Sequence, residues 1–412
     1  MASNFLHVFK NRRIAITFIL GFSSALPLPL VWGTLKGWMA SANVDLKTIG
    51  LFSLVTLPYS LKFLWAPFLD RFSLPFLNRR TSWMAVTQIL LIIFIILLGN
   101  SDPQTSAYTV ALFALIVAFL SASQDIVIDA YRAELLLPEE LGPGASVAVV
   151  GARVGLLISG ALAFVLSKSL AWSQVYTIMA ALMTIGLVTS FLAPAASARE
   201  ARPKTLTDAI LQPLKIFFKR DRAIEILIFI IVFKLGDVVA GEMLTPFLIK
   251  MGYPREVIGT LNKGLGMVST IIGALFAGGI VSRIGVWKSL LIFGAIQPFS
   301  NLLFVLLAQA GQNYTLLAIS IGVENFCTGM GTTAFVAFLM SLCDKRFSAT
   351  QYALLSSIMA LSRPFVGTST GYLAEYLGWS GYFTLSALLA LPGILLLFRF
   401  RNYQFESTTP SN

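Results

Sequence analysis

Of the 412 residues in the chain, 57% are apolar and 12% are charged, where soluble domains carry about 45–50% apolar and about a quarter charged residues. That balance excludes an ordinary soluble enzyme and points to a chain that lives in lipid. One histidine, His7 in the tail, and two cysteines, Cys327 and Cys343, leave almost nothing for histidine catalysis, a metal site or a disulfide framework.

The apolar residues lie in runs that predict twelve membrane spans, near 14–38, 49–70, 82–99, 107–131, 145–167, 173–192, 224–247, 257–281, 288–309, 313–341, 349–374 and 379–399. Most reach the roughly 20 residues needed to cross the hydrocarbon core. The first follows a basic stretch, as a secretory signal does, but it is too long and lacks a small-residue cleavage site, so it is expected to remain as span one. Pro27 and Pro29 are expected to bend it.

The net charge of +11 is a topology signal and not a nucleic-acid footprint. With the N-terminus inside, about twenty of the thirty Lys and Arg fall in cytoplasmic segments and about four on the other side. Both termini are then cytoplasmic. Hydropathy falls and charge rises at 193–223, so the chain is read as a six-helix bundle (1–192), a cytoplasmic linker (193–223), a second six-helix bundle (224–402) and a polar tail (403–412). Within the linker, Leu206, Ile210, Leu214 and Phe217 are spaced for one face of a helix lying on the membrane surface. Pro213 either disturbs that helix or starts a shorter one.

The most informative residues are Asp125 and Asp129, at the end of the apolar stretch AYTVALFALIVAFLSASQDIVIDAYR. An ionisable group inside a span is costly and marks an ion, proton or substrate path. At i, i+4 the two carboxylates share one helix face. Arg153 on span five lies at matching depth and is expected to neutralise one of them, either as a permanent pair or as a switch released by protonation. In the second half Lys234 and Asp237 fall near the middle of span seven, Glu324 and Asn325 of span ten, and Arg363 of span eleven. Glu324 and Arg363 are candidates for a pair, whereas Glu242 and Lys263 match in depth near the outer ends of spans seven and eight and suit a gate. Gly151 and Gly155 form a small-xxx-small pattern of the kind that packs helices closely.

Six plus six spans is the layout of the major facilitator superfamily. The loop APFLDRFSLPFLNRR after span two resembles that superfamily's signature, an acid-arginine pair (Asp70, Arg71) followed by a basic cluster (Arg79, Arg80). The matching loop GGIVSRIGVWK after span eight keeps Arg283 and Lys288 but has Ser282 in place of the acid. At finer grain LGFSSALPLPL, DLKTIGLFSL, KFLWAPFLDR, SASQDIVIDA, KLGD, NKGLG, ENFCTGMGTTAFVAFLMSLCDKRFSATQYALLS and PGILLLF resemble, in order, the muropeptide permeases of the AmpG type. The likeness covers nearly the whole chain.

The resemblance implies an all-α, monomeric inner-membrane protein of twelve helices in two bundles. It would import N-acetylglucosaminyl-1,6-anhydro-N-acetylmuramyl peptides with a proton as coupling ion and no cofactor, serving peptidoglycan recycling and, indirectly, β-lactamase regulation. Longer members continue with about two further helices past the region matching Phe398. Glu242 stands where the family pattern has a small polar residue, so no role is carried over to it.

A muropeptide presents carboxylates, acetamido groups and sugar hydroxyls. These call for Lys234, Lys263 and Arg363, for the amides Gln124, Asn262 and Asn325, and for aromatic faces such as Trp32 and Tyr59, which otherwise read as lipid-facing aromatics. On the same reading Asp125, Asp129, Arg153 and Glu324 handle the proton. Other classes stay open: a carrier of another large anion such as an acyl-CoA, a membrane sensor that binds without transporting, or an intramembrane aspartyl protease. The last class places its acids on different helices, which an i, i+4 pair does not satisfy.

Overall fold

A computed structural model describes residues 11–196 and 205–400. The linker segment 197–204, the tail 403–412 and the side chains of Lys263 and Arg363 lie outside the described residues. Twelve helical passages occur among the described residues, at 12–41, 46–71, 79–99, 107–135, 141–166, 172–192, 223–250, 255–284, 286–310, 314–341, 348–377 and 379–399. They follow the apolar runs to within a few residues and are called spans one to twelve below. Among the described residues, seven helical segments are long and apolar enough to cross a membrane by length and composition alone.

By packing, one compact unit comprises residues 1–136, 150–215 and 343–357, and the other comprises 137–149, 216–342 and 358–412. The short pieces 137–149 and 343–357 therefore group by contact and not by chain order.

In the first unit, span one is antiparallel to span six. Arg12 donates to the Leu192 carbonyl at 2.6 Å, and Tyr176 donates to the Leu30 carbonyl at 2.8 Å. Span one runs parallel to span five at very close range. A Cβ built on Gly151 would fall 2.2 Å from the Phe18 carbonyl oxygen, and one on Gly155 would fall 2.5 Å from that of Phe22. Only hydrogen fits at those positions, which is the packing role that the small-xxx-small spacing predicted. Span one itself breaks into Arg12–Ala25, Pro27–Val31 and Gly33–Ser41, with Trp32 in non-helical backbone at the second break. Span two is more broken still. It is a relay of short α and 3-10 turns in which Lys62 opens the 3-10 turn Lys62–Leu64.

In the second unit, span ten runs parallel to span eight, with Asn325 beside Gly266 and Thr333 beside Ala274. It runs antiparallel to span nine, with Thr328 beside Gln297 and Ser320 beside Leu303. Spans eight and nine are therefore antiparallel to each other, and the reversal between them is made at Gly285, whose φ of 82° favours glycine. Span twelve is antiparallel to span seven, since Tyr382 donates to Val239 at 2.6 Å and Arg399 pairs with Glu225 at 3.1 Å. A phenylalanine cluster, with Phe233 and Phe335 stacked at 5.5 Å, fills the contact between spans seven and ten.

The linker forms one helix, Leu206–Phe218, that runs straight through Pro213, so the expected break does not occur. Its buried stripe is Ala209, Pro213 and Phe217, rotated from the expected face; Leu206 and Ile210 are exposed. The Pro213 carbonyl accepts from Gln351 Nε2 at 3.2 Å.

Candidate functional site

Span four positions the polar centre of the first unit. Its residues from Ser121 onward are almost all buried, and its acids point to neighbours that the sequence did not single out. Asp129 is flanked by two cations: Lys62 Nζ of span two lies 3.7 Å from Oδ2, and Arg132 of span four bonds Oδ1. Lys62, Asp129 and Arg132 are each less than a tenth exposed. Asp125 instead accepts a hydrogen bond from the Ser24 hydroxyl of span one, with Lys62 and Arg132 in electrostatic range. Gln124 donates to the Ser23 carbonyl at 2.9 Å while its own oxygen stays buried with no partner among the described residues. It thus ties spans one and four together. Arg153 is half-buried on span five, near the glycine contact with span one. The acids thus meet Lys62, Arg132 and Ser24, none of which the sequence reading singled out.

A second network gathers around the loop signature. Arg80, 2% exposed, bonds Asp70 Oδ1 and Glu134 Oε1 at 2.6 Å each, and Arg79 reaches Glu134 at 3.0 Å. Asp70 also accepts from the Thr350 amide at 2.8 Å and the Thr350 hydroxyl at 2.6 Å. Ser348 bonds Glu134. The carboxylate of Asp70 thus caps the start of the Ser348–Leu388 helix, where unpaired amides and the helix dipole favour an anion. Arg71 lies outside this network, with its guanidinium 5.6 Å from the centre of the Phe72 ring. In the other loop Arg283 is exposed.

In the second unit, span seven breaks at Phe233 and Lys234, between Ala223–Val232 and Leu235–Lys250. Lys234 sits at the break and pairs with Asp237 in the first turn of the following helix at 3.0 Å. Both line a small cavity of about 10 Å³ together with Phe233, Phe293, Gln297 and Gly331. That is room for about one water molecule, far below the volume of a site for a drug-sized ligand. The cavity is bounded by spans seven, nine, ten and twelve. Lys234 and Asp237, both substrate-site candidates, pair with each other inside it.

Glu324 accepts from the Thr328 hydroxyl at 3.0 Å, and Thr328 in turn meets Gln297 Nε2 at 3.5 Å. Asn325 is turned onto span eight, accepting from Thr270 at 3.3 Å and donating to the Ile321 carbonyl at 2.9 Å. Asn262 lies in the π-helical turn Leu261–Gly266 of the same span, a local widening often found at functional sites. Glu242 is half-buried on span seven; the pairs proposed for it with Lys263, and for Glu324 with Arg363, fall on side chains outside the described residues. Trp32 is 47% exposed, and Tyr59 is turned inward with its hydroxyl buried.

Comparison with known proteins agrees with this architecture. The sequence pattern of the Major Facilitator Superfamily matches residues 14–365. The anhydromuropeptide permease of Escherichia coli is 45% identical over 399 residues, covering 96% of this chain and 81% of that protein. The putative transporter AmpG 4 of Rickettsia felis is 35% identical, covering 95% and 97%. Among solved structures, the human organic anion transporter MFSD10 superposes with a TM-score of 0.70 at 15% identity, over 94% of this chain and 99% of that one. The proton:xylose symporter XylE gives 0.65 at 13% identity, over 97% and 96%. On these matches the chain belongs to the Major Facilitator Superfamily and, within it, to the family of AmpG-type anhydromuropeptide permeases.

Proposed function

We propose that this chain is a proton-coupled importer of anhydromuropeptides, carrying them from periplasm to cytoplasm across a bacterial inner membrane for peptidoglycan recycling. The substrate class rests on the 45% identity to an anhydromuropeptide permease along 96% of the chain. The observation that carries the coupling is the buried set Ser24, Lys62, Asp125, Asp129 and Arg132. Asp129 has two cations against it, so protonating it leaves two buried positive charges without their anion. Asp125 has a hydroxyl donor and shares those cations at longer range, so it takes the proton at lower cost. Gaining that proton weakens the charge-assisted bond from Ser24 on span one, which links charge state to the relation of spans one and four.

Asp70 supplies a matching latch. Its cap on the Ser348–Leu388 helix, shared with Arg80 and Glu134, holds when the loop after span two meets the start of span eleven and opens when they part. Arg363, Lys263 and Asn262 remain the candidates for the substrate's carboxylates and acetamido groups.

The test is uptake by the purified chain in liposomes of labelled anhydromuropeptide, driven by an imposed proton gradient. Accumulation above the outside concentration, competed by the muropeptide and not by an acyl-CoA, is the expected result. Binding without accumulation identifies a sensor. Competition by acyl-CoA in preference to muropeptide moves the substrate to another anion class.

A further inference from the structure

The cavity between spans seven, nine, ten and twelve carries a second message. Gln297 of span nine is 6% exposed, lines the cavity, and has a side-chain oxygen with no partner among the described residues. A buried amide oxygen left unpaired is costly, which singles out this position. Its other end, Nε2, reaches Thr328 Oγ1, whose hydroxyl in turn donates to Glu324 Oε1. Every donor in that chain points toward the carboxylate of Glu324. On its open side the cavity holds the pair Lys234 and Asp237, with Lys234 Nζ pressed to within 3.3 Å of where a Gly331 Cβ would stand.

We propose that Gln297 is a positioning residue whose amide reports the protonation of Glu324 to the Lys234–Asp237 pair. With Glu324 ionised, Thr328 donates to it and accepts from the Gln297 amide nitrogen, which leaves the Gln297 oxygen facing the cavity and its ammonium. With Glu324 protonated, its own O–H donates to Thr328 Oγ1. The Thr328 proton then turns to the Gln297 oxygen, and the amide rotates by half a turn. The NH2 group now faces the cavity and donates to Asp237, competing with Lys234 for that carboxylate. No proton travels along the amide: the one taken up from water stays on Glu324 until it leaves to water, and only hydrogen-bond direction is transmitted. The long 3.5 Å contact between Gln297 and Thr328 is easily exchanged, because hydrogen bonds weaken at that length.

Among the described residues, the charges facing this relay are Lys234 and Asp237 from span seven and Glu324 from span ten, with the Cys327 thiol in electrostatic reach of both acids; Arg363 of span eleven, the candidate partner of Glu324, lies outside the described side chains. Spans nine and twelve bring to the cavity only Gln297 and apolar groups such as Phe293 and Ile394. The break in span seven at Lys234 gives the signal a mechanical target, since loosening the pair frees the joint between two half-helices.

The proposal rests on the proton-coupled reading above but is tested apart from it, by infrared difference spectra of the purified full chain without substrate or gradient. The Glu324 band is identified by its loss in Glu324→Gln, and the Asp237 carboxylate band by its loss in Asp237→Asn. As pH is lowered through the Glu324 transition, the Asp237 carboxylate band is expected to shift in the parent. In Gln297→Met and in Thr328→Val, Glu324 still titrates and the Asp237 shift is lost. These are near volume-conserving changes at two links of one chain, so either variant that folds, judged by its melting profile, decides the matter. An Asp237 band that does not move in the parent, or that still moves in the variants, overturns the proposal. Absence of gradient-driven uptake by the parent, with the infrared coupling intact, overturns the transport reading alone.

Discussion

Removing the charge of Asp125 leaves the main anion of the cluster, Asp129, still bonded to Arg132 and beside Lys62. Asp125→Asn is therefore expected to fold, to bind muropeptide, and to exchange it in counterflow, while losing accumulation driven by a proton gradient. Asp129→Asn differs, because it strands two buried cations; breaking a buried pair in this way costs about 3–5 kcal/mol, and the expected result is a loss of folded protein. Accumulation by Asp125→Asn with the parent's pH dependence removes Asp125 from the coupling role and passes it to Glu324. The acids themselves were legible in the sequence, because a carboxylate in an apolar run stands out by cost alone. Their partners were not. Lys62 and Arg132 look like ordinary positive charge near a loop, and which of them faces Asp129 depends on how spans two and four are rotated, which no spacing within one span records. Gln297 gave no signal either, since a lone amide in span nine carries no charge to attract notice.

At the scale of elements, the glycines of span five set how close span one can come. Gly151→Leu is expected to cost at least the roughly 1–3 kcal/mol of an overpacked contact, because the Cβ alone meets a carbonyl oxygen at 2.2 Å and backbone cannot rotate aside as a side chain can. Gly33→Ala is the matched control, with nothing within 4 Å of the added carbon, and should melt within about 1 kcal/mol of the parent, as an added methyl group in a helix does. Equal melting of both variants in detergent would show that spans one and five do not pack as described. The spacing of these glycines was readable because small residues four apart have one common use in lipid. By contrast, the break of span seven falls at Phe233 and Lys234, two residues before the nearest glycine, Gly236, and the linker helix continues through Pro213 where the sequence suggests a disturbance or a new start. A helix end can be read from its cap; a mid-helix break held by a half-buried ion pair cannot.

At the scale of the whole molecule, topology is the testable property. From the asymmetry of Lys and Arg we propose that the loop around Asp102 lies outside and the linker helix inside. The two native cysteines are buried, so cysteines introduced at Ser101 and at Thr207, an exposed residue of the linker helix, report cleanly. An impermeant maleimide on intact spheroplasts is expected to label the first and spare the second, and the reverse pattern inverts the topology. Hydropathy alone gave the number of spans and their order, because backbone in lipid is satisfied only in helices or closed barrels and runs of about 20 apolar residues select helices; it said nothing of how pieces such as 343–357 group by contact. The reversal at Gly285 bears on how the chain is made. A single residue advances the chain by at most about 3.6 Å, so spans eight and nine have no slack with which to enter lipid one after the other. They are expected to enter the bilayer together as a helical hairpin, with Arg283 and Lys288 on one side of it. A residue other than glycine, held at the φ of 82° found at 285, would strain that hairpin during insertion as well as in the finished fold.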